Sequence, residues 1–244
     1  MDSSGICSSI RITDQDCHKA VGYPRAALSR FLQSNCSALK FADIKNQTIF
    51  NNFVYGSFYG LHFLKDAITG KYPGEMTVIG HGSDGCSYSL FVEDAGKNTK
   101  LIAINSELVN TRTAEPVRSY VLMGGEANTN KVHPNATLIL YNSAFWGSPT
   151  IGAIINSGTV RFQQANFQRS GAPAIDNRGG KVNVYSSYFA HKMPGAATGD
   201  NVYSKLHATC VSTELTNNYY ISGFSENNAK PEKTYGSDIV TDKK

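Results

Sequence analysis

The sequence predicts an all-β fold, a single right-handed parallel β-helix with about 22 residues per turn. The first observation is a repeat: nine-residue segments that begin at Thr137, Thr159 and Lys181 are apolar at positions two, four and nine, and small at position seven. The second is the alternation of apolar and polar residues in each segment, which is typical of strands with one buried face. The third is the Asn and Gly that close the short apolar strands between the segments, because both tolerate the left-handed backbone of a corner.

The spacing also predicts which residues stack on one another. Strands of successive turns lie about 4.8 Å apart, so residues separated by one repeat should form columns along the solenoid. The inner columns are predicted to contain the apolar residues of the template, which are Leu138, Leu140, Phe145, Val160, Phe162, Phe167, Val182, Val184 and Phe189. At one corner we expect Asn156 to lie over Asn177, with their amide groups forming a hydrogen-bonded ladder.

Three segments are predicted along the chain. Residues 1–37 form an N-terminal tail and a capping helix, residues 38–224 the parallel β-helix, and residues 225–244 an irregular tail rich in Asn, Lys, Asp and Glu. The helix is predicted over 23–35, because Pro24 suits a first helical position and Asn35 can end a helix. A β-helix exposes strand edges at its ends, and this helix is predicted to cover the first turn.

Before the regular repeat, the same alternation predicts strands at 39–44, 48–50, 53–55, 61–64, 76–79, 88–92, 101–108 and 120–123. Loops are predicted at 66–74, 93–99, 109–117 and 124–134. Insertions in solenoids gather on one face and often build the binding site, so these loops are expected to border the functional surface.

Composition and charge restrict the classes of partner and cofactor. The formal net charge is +4 without a run of Lys or Arg, so we expect no nucleic-acid partner. No stretch of about 18 apolar residues occurs, so we expect no membrane partner. The five cysteines match no zinc spacing, and neither a metal nor another cofactor is expected. The sequence leaves the oligomeric state open.

The outward positions of the repeat are candidates for ligand binding. One outer column is predicted to contain Tyr141, Gln163 and Tyr185, and Arg161 stands in the neighbouring column. A tyrosine ring offers an apolar plane to a pyranose, while amide and guanidinium groups bond its hydroxyls, so these four residues are the predicted substrate-binding set. The alternative is a solvated sheet face with tyrosines of ordinary β-propensity.

The segment from Gly80 to Gly85 matches the G-x-G-x-x-G pattern, but a strand follows it where a nucleotide-binding site would need a helix. The glycines are therefore interpreted as a solenoid corner. Within this segment Asp84 and His81 are the candidate catalytic residues, because a carboxylate near a histidine on a tight loop can do acid/base work. The alternative is an Asp that only bonds its own backbone in the turn.

The repeat, the predicted capping helix and the stretch 53–63, which reads FVYGSFYGLHF, together resemble the right-handed parallel β-helices of the pectin-lyase-like superfamily. The resemblance implies a secreted or cell-surface protein whose partner is a polysaccharide or oligosaccharide bound along one elongated outer face. One hypothesis is a glycoside hydrolase or polysaccharide lyase, and the other is a non-catalytic, tailspike-like β-helix for carbohydrate recognition or adhesion. The paired aspartates of polygalacturonases and the calcium-binding aspartates of lyases are not found, so the resemblance assigns no catalytic residue.

Overall fold

The computed structural model of the chain describes residues 25–110, 118–125, 131–147, 151–168, 174–189, 205–206, 212–216, 218–221, 233–235 and 239–241. These residues form one helix and 23 strands. In chain order they are α1 (Arg25–Asn35), β1 (Ser37–Phe41), β2 (Gln47–Phe50), β3 (Phe53–Tyr55), β4 (Tyr59–Phe63), β5 (Glu75–Ile79), β6 (Gly82–Asp84), β7 (Tyr88–Val92), β8 (Lys100–Ile104), β9 (Glu107–Asn110), β10 (Ser119–Met123), β11 (Thr137–Tyr141), β12 (Ala144–Gly147), β13 (Ala153–Ile155), β14 (Thr159–Gln163), β15 (Asn166–Gln168), β16 (Ile175–Asn177), β17 (Lys181–Tyr185), β18 (Tyr188–Phe189), β19 (Lys205–Leu206), β20 (Ser212–Thr216), β21 (Tyr219–Ile221), β22 (Lys233–Tyr235) and β23 (Ile239–Thr241).

The strands make three sheets that run the length of the solenoid. Sheet A has the order β1-β4-β7-β10-β13-β16-β19, sheet B the order β2-β5-β8-β11-β14-β17-β20-β22, and sheet C contains β3-β6-β9-β12-β15-β18-β21-β23. The strand pairs in all three sheets are parallel, and each strand pairs with its equivalents in the turns before and after it. This architecture confirms the predicted parallel β-helix and is consistent with the predicted right-handed coil.

The regular part of the solenoid keeps the predicted register. Leu138, Val160 and Val182 pair in sequence across β11, β14 and β17. Phe145, Phe167 and Phe189 form one internal column, with ring centroids 4.7 and 4.6 Å apart and interplanar angles of 13° and 3°. All nine predicted core residues are at most 1% exposed, so the predicted core is confirmed.

Turn length varies outside the regular part. Glu75 pairs with Lys100, and Lys100 with Thr137, so these turns contain 25 and 37 residues. The corner between sheets B and C is nevertheless always two residues long from β2 to β18. Its first residue always has a positive φ, in Asn51, Gly80, Asn105, Asn142, Gln164 and Ser186. The additional residues therefore lie at the two corners that flank sheet A.

The predicted amide ladder at Asn156 is wrong. Ile155, not Asn156, pairs with Asn177, because the two asparagines are 21 residues apart and the turn has 22. Asn156 Nδ2 instead donates to the carbonyl of Gly125 at 2.8 Å. A pair of asparagine amides does occur at the B–C corner, where Asn142 Nδ2 donates to Asn105 Oδ1 at 2.8 Å.

Helix α1 is attached to the corner between β6 and β7. Gln33 is buried and its Nε2 donates to the carbonyl of Gly85 at 2.8 Å, while Ser87 Oγ donates to the carbonyl of Gln33 at 2.8 Å. The predicted first residues of the helix, 23 and 24, lie outside the described residues, and its capping role stays a prediction. At the other end of the chain, β22 and β23 extend sheets B and C into the segment predicted as an irregular tail.

Sheet A differs from the other sheets in having both faces buried from β4 to β16. Its inner face contributes Leu61, Leu90 and Val121 to the solenoid core. Its outer face carries a second apolar cluster, formed by Tyr88, Phe91, Leu122 and Ile154 with Phe58, Tyr59 and Ile151 packed against it. The loops at 64–74 and 93–99 leave the sheet at the end of β4 and β7.

Candidate functional site

The four predicted substrate-binding residues lie together on the outer face of sheet B. Tyr141, Gln163 and Tyr185 pair in register at the ends of β11, β14 and β17, and Arg161 stands two residues before Gln163 on β14. Tyr141 is 37% exposed, Arg161 and Gln163 are exposed, and Tyr185 is half-buried. Stacking sets the spacing within this tyrosine column (Tyr141, Gln163 and Tyr185) at about 4.8 Å per turn.

An open cleft borders this face at the B–C corner. This corner cleft is lined by Asn51, Asn52, Phe53, Gly80, His81, Gly82, Asn105 and Glu107. Gly82 allows the ring of Phe53 to lie over it, because a Cβ at Gly82 would come within 2.6 Å of Phe53 Cδ2. The cleft thus combines an aromatic ring that is 44% exposed with amide and carboxylate groups.

His81 lies beneath the corner cleft and is 1% exposed. Its Nδ1 is 2.8 Å from Asn52 Oδ1, and since that oxygen can only accept, Nδ1 carries the proton. Burial lowers the pKa of His81 to about 3, so the ring is neutral near pH 7 and has no acidic proton to give up as an imidazolium. Its Nε2 and the Nδ2 of Asn52 are buried without a hydrogen-bond partner among the described residues.

Asp84 faces the opposite way. In β6, Ser83 points into the core with no exposure, so Gly82 and Asp84 point outward by the alternation of a strand. Asp84 pairs in register with Tyr55 and Val109 on the outer face of sheet C. His81 and Asp84 therefore lie on opposite faces of the sheet, one in the interior and one outside.

The structure adds an acid that the sequence reasoning missed. Glu107 is exposed at the start of β9, pairs with Gly82, and accepts a hydrogen bond from Trp146 Nε1 at 2.8 Å through Oε1. Asp84 lies one strand across and two residues along from it, which corresponds to about 8 Å between Cα atoms. The signal was present in the repeat, because Glu107 occupies the outer position that Ala144 takes in the next turn.

Other acids in or next to the loops serve local contacts. Glu75 pairs with Lys100 Nζ at 3.1 Å on sheet B, Asp66 Oδ1 accepts from two backbone N–H groups of its own loop, and Asp94 Oδ2 accepts from the backbone N–H of Lys65. Glu126 lies outside the described residues. Asp84 and Glu107, in contrast, share the outer face of sheet C close to the corner cleft.

Within the described ranges, no group of three His, Cys, Asp or Glu side chains is arranged to hold a metal ion. In the same part of the chain, the helix is too short to cross a membrane. Comparison with protein-family models, curated proteins and solved structures found no match. The parallel β-helix is thus the class that the fold defines, and function has to be argued from the side chains of its surface.

Proposed function

We propose that this protein binds a polysaccharide or oligosaccharide along the outer face formed by the tyrosine column, Arg161 and the corner cleft. The observation that carries the proposal is the register of Tyr141, Gln163 and Tyr185 on three adjacent strands, all at least partly exposed. Two aromatic planes flank an amide, and Arg161 adds a guanidinium group that can bond hydroxyl or carboxylate oxygens.

The geometry suits a chain ligand that runs along the solenoid axis. The rise of about 4.8 Å per turn is close to the length of one sugar unit, so successive units can meet successive turns. The B–C corner adds amide groups beside the column, including Asn105 and Asn142, which already bond each other at 2.8 Å. The proposal includes membership of the pectin-lyase-like superfamily and a secreted or cell-surface location, as the resemblance of the sequence implies.

Binding is tested by measuring affinity for glycans with the double variant Tyr141→Ala/Tyr185→Ala. Loss of two stacking planes should weaken binding at least about tenfold. The matched control is Tyr72→Ala, which removes an exposed tyrosine from the loop before β5 and should leave affinity unchanged. Unchanged affinity of the double variant for a confirmed glycan ligand would show that the binding site lies elsewhere on the protein.

A second function, cleavage of the bound chain, is favoured by the relation between Asp84 and Glu107. Inverting glycosidases hold two carboxyl groups about 6.5–9.5 Å apart, to leave room for a water molecule, and retaining ones about 5–5.5 Å. The Cα atoms of Asp84 and Glu107 lie about 8 Å apart and both side chains are on the outer face of sheet C, so the two carboxyl groups can act on one bound chain. We assign them the inverting arrangement, in which a water molecule fits between the two groups. Glu107, held by Trp146, would act as the base that activates water, and Asp84 as the acid that protonates the leaving oxygen.

In this proposal His81 has a supporting role near the catalytic pair. It holds Asn52 beneath the corner cleft, and because it is only 1% exposed its ring does not contact the substrate. Asp84 keeps the catalytic role expected from the sequence, with Glu107 in place of His81 as its partner.

Cleavage is tested by release of reducing ends from a panel of polysaccharides. Asp84→Asn and Glu107→Gln should each lower the rate at least about 100-fold, and Glu75→Gln, an exposed acid on sheet B, should not. Proton NMR of the first product should show inversion at the anomeric carbon. Full activity of Asp84→Asn would remove that assignment, while glycan binding without cleavage of any polysaccharide would leave the non-catalytic alternative.

A further inference from the structure

Ser37, His62 and Glu93 form a hydrogen-bonded chain on the outer side of sheet A. His62 Nδ1 is 2.9 Å from Ser37 Oγ, and His62 Nε2 is 2.8 Å from Glu93 Oε2. The three residues come from β1, from β4 and from the position after β7, so three successive turns each supply one member. They are separated by 25 and 31 residues in the sequence.

The chemistry of the partners fixes the direction of both hydrogen bonds. A carboxylate oxygen only accepts, so His62 Nε2 carries the ring proton and donates it to Glu93. In a neutral ring Nδ1 then holds the lone pair and accepts the hydrogen bond from the Ser37 hydroxyl. Burial, the largest effect on the ring, lowers the pKa of His62, and this favours the neutral form near pH 7.

The ring and the carboxylate are both held in place by neighbours. The His62 ring stacks on Phe91 with centroids 4.9 Å apart and an interplanar angle of 23°, and it contacts Tyr59 at 4.6 Å. Glu93 Oε1 is 3.6 Å from Lys131 Nζ. A nucleophile that bonds a neutral base, which is oriented in turn by a fixed carboxylate, is the arrangement that activates serine for acyl transfer.

We propose that Ser37, His62 and Glu93 form a second site, independent of the glycan face, that hydrolyses carboxylic esters. Ser37 Oγ bonds to the acyl carbon as its proton passes to His62 Nδ1, and the ester C–O bond breaks as the leaving alcohol takes that proton. Water then attacks the acyl-serine, gives a proton to His62, and releases the acid while Ser37 regains its hydrogen. In this site Nδ1 takes the serine proton and Nε2 bonds the carboxylate. In the usual Ser-His-Asp triad, Nε2 takes the proton and Nδ1 bonds the carboxylate.

Two further features suit the site to this chemistry. Ser37 is half-buried and lies on β1, the edge strand of sheet A, so its hydroxyl is not enclosed by strands on both sides. Lys40 is exposed, pairs in register with His62 and acts on its ring electrostatically, and we assign to its flexible side chain the stabilisation of the oxyanion. The half-buried ring of Tyr59, whose centroid is 4.6 Å from that of His62, adds an apolar surface beside the base.

The first experiment uses the wild-type chain and a fluorophosphonate probe, which transfers its phosphonyl group to an activated serine with loss of fluoride. We expect one adduct by intact mass, mapped to the peptide that contains Ser37. The absence of an adduct, or an adduct at another serine, overturns the proposal. Because this measurement needs no variant, a folding defect cannot obscure the result.

The second experiment measures hydrolysis of p-nitrophenyl acetate by variants whose fold is verified by circular dichroism. Ser37→Ala and His62→Gln should lose both labelling and at least about 100-fold in rate. Ser34→Ala, the same change at an exposed serine of α1, should retain both. Hydrolysis that persists in Ser37→Ala overturns the assignment.

The pH dependence of the hydrolysis rate distinguishes a catalytic base from a histidine with only a structural role. The rate should rise with pH through a midpoint below 6.5, because only neutral His62 can take the serine proton. The charged groups that act on the ring are Lys40, Glu93 and Asp94, with Lys131 beyond Glu93. Glu93→Gln should lower kcat with little effect on KM, and a pH-independent rate contradicts the role of His62.

Discussion

Two buried histidines, one in each of two regions, show how differently this solenoid uses the same side chain. His81 at the B–C corner is 1% exposed, and among the described residues its ring bonds only the neutral amide of Asn52. His62 on sheet A is 4% exposed and bonds a hydroxyl and a carboxylate. Burial lowers the pKa of both rings, and a hydrogen bond opposes that effect in each case, from Asn52 at His81 and from Glu93 at His62. At His62 the charge of Glu93 opposes it further.

The partner fixes the ring proton in both cases, and the difference lies at the other ring nitrogen. His81 Nε2 has no hydrogen-bond partner among the described residues, whereas His62 Nδ1 bonds the hydroxyl of Ser37. His81 attracts attention in the sequence because glycines flank it, yet its ring points into the interior below the cleft. His62 lies in an ordinary strand, and only the neighbouring turns supply its partners. The two regions also differ in construction, because the B–C corner keeps two residues in each turn from β2 to β18 and the corners beside sheet A vary.

The largest expected effect is the dependence of stability on pH that arises from His81. Its pKa rises from about 3 in the folded chain to 6.5 when unfolded, so the unfolded state binds more protons as the pH falls. The contribution is complete above pH 6.5 and is lost progressively toward pH 3, about 5 kcal/mol in all at about 1.4 kcal/mol per pH unit. Urea unfolding at pH 7.5, 6, 5 and 4 measures it.

His81→Asn should reduce the loss of unfolding free energy that occurs as the pH falls below 6.5. His133→Gln, at an exposed histidine, should leave that loss unchanged. Parallel pH curves for wild type and His81→Asn would show that the buried ring is not the source, and would remove the contrast with His62.

The next effect compares the solenoid core with the outer cluster of sheet A. Phe167→Ala removes the middle ring of a stacked column and should cost about 3–5 kcal/mol of unfolding free energy. Phe91→Ala should cost a similar amount, because its ring is 3% exposed and stacks on Tyr59 and His62. Phe50→Ala, at a ring 62% exposed on sheet B, is the control and should cost less than about 1 kcal/mol.

Chemical denaturation checks all three variants. A loss below about 1 kcal/mol for Phe167→Ala would mean that the internal column is wrongly placed. The same small loss for Phe91→Ala would instead mean that the second apolar cluster contributes little to stability and does not hold the His62 ring in place.

The smallest effect separates a partly buried carboxylate from a surface one. Glu93→Ala leaves the buried Nε2–H of His62 without an acceptor and should cost about 1–3 kcal/mol. Glu75→Ala breaks an exposed ion pair with Lys100 and should cost less than about 1 kcal/mol. Thermal unfolding of the two variants compares their losses of unfolding free energy. Equal losses would mean that the hydrogen bond between Glu93 and His62 contributes no more to stability than an exposed ion pair.

Much of the fold was predictable from the sequence because spacing equals register wherever turn length is constant. From β11 to β18 each turn has 22 residues, and the inner and outer columns therefore follow by counting from Leu138 or Tyr141. The same counting failed for Asn156 and Asn177, which differ by 21. A shift of one residue is enough to move a side chain out of one column and into the neighbouring column.

The sequence by itself determined the strand alternation, the stacked phenylalanines and the outer placement of Tyr141 and Arg161, since each depends on local periodicity. Only the tertiary structure decided which side chains from unequal turns meet. Turns of 25 and 37 residues bring Glu107 beside Gly82 and Ala144, and loops of different length bring Ser37 and Glu93 to opposite ends of the His62 ring. Insertion length changes the separation in sequence without changing the stacking of strands, because the hydrogen bonds between turns align the backbones wherever the loops permit.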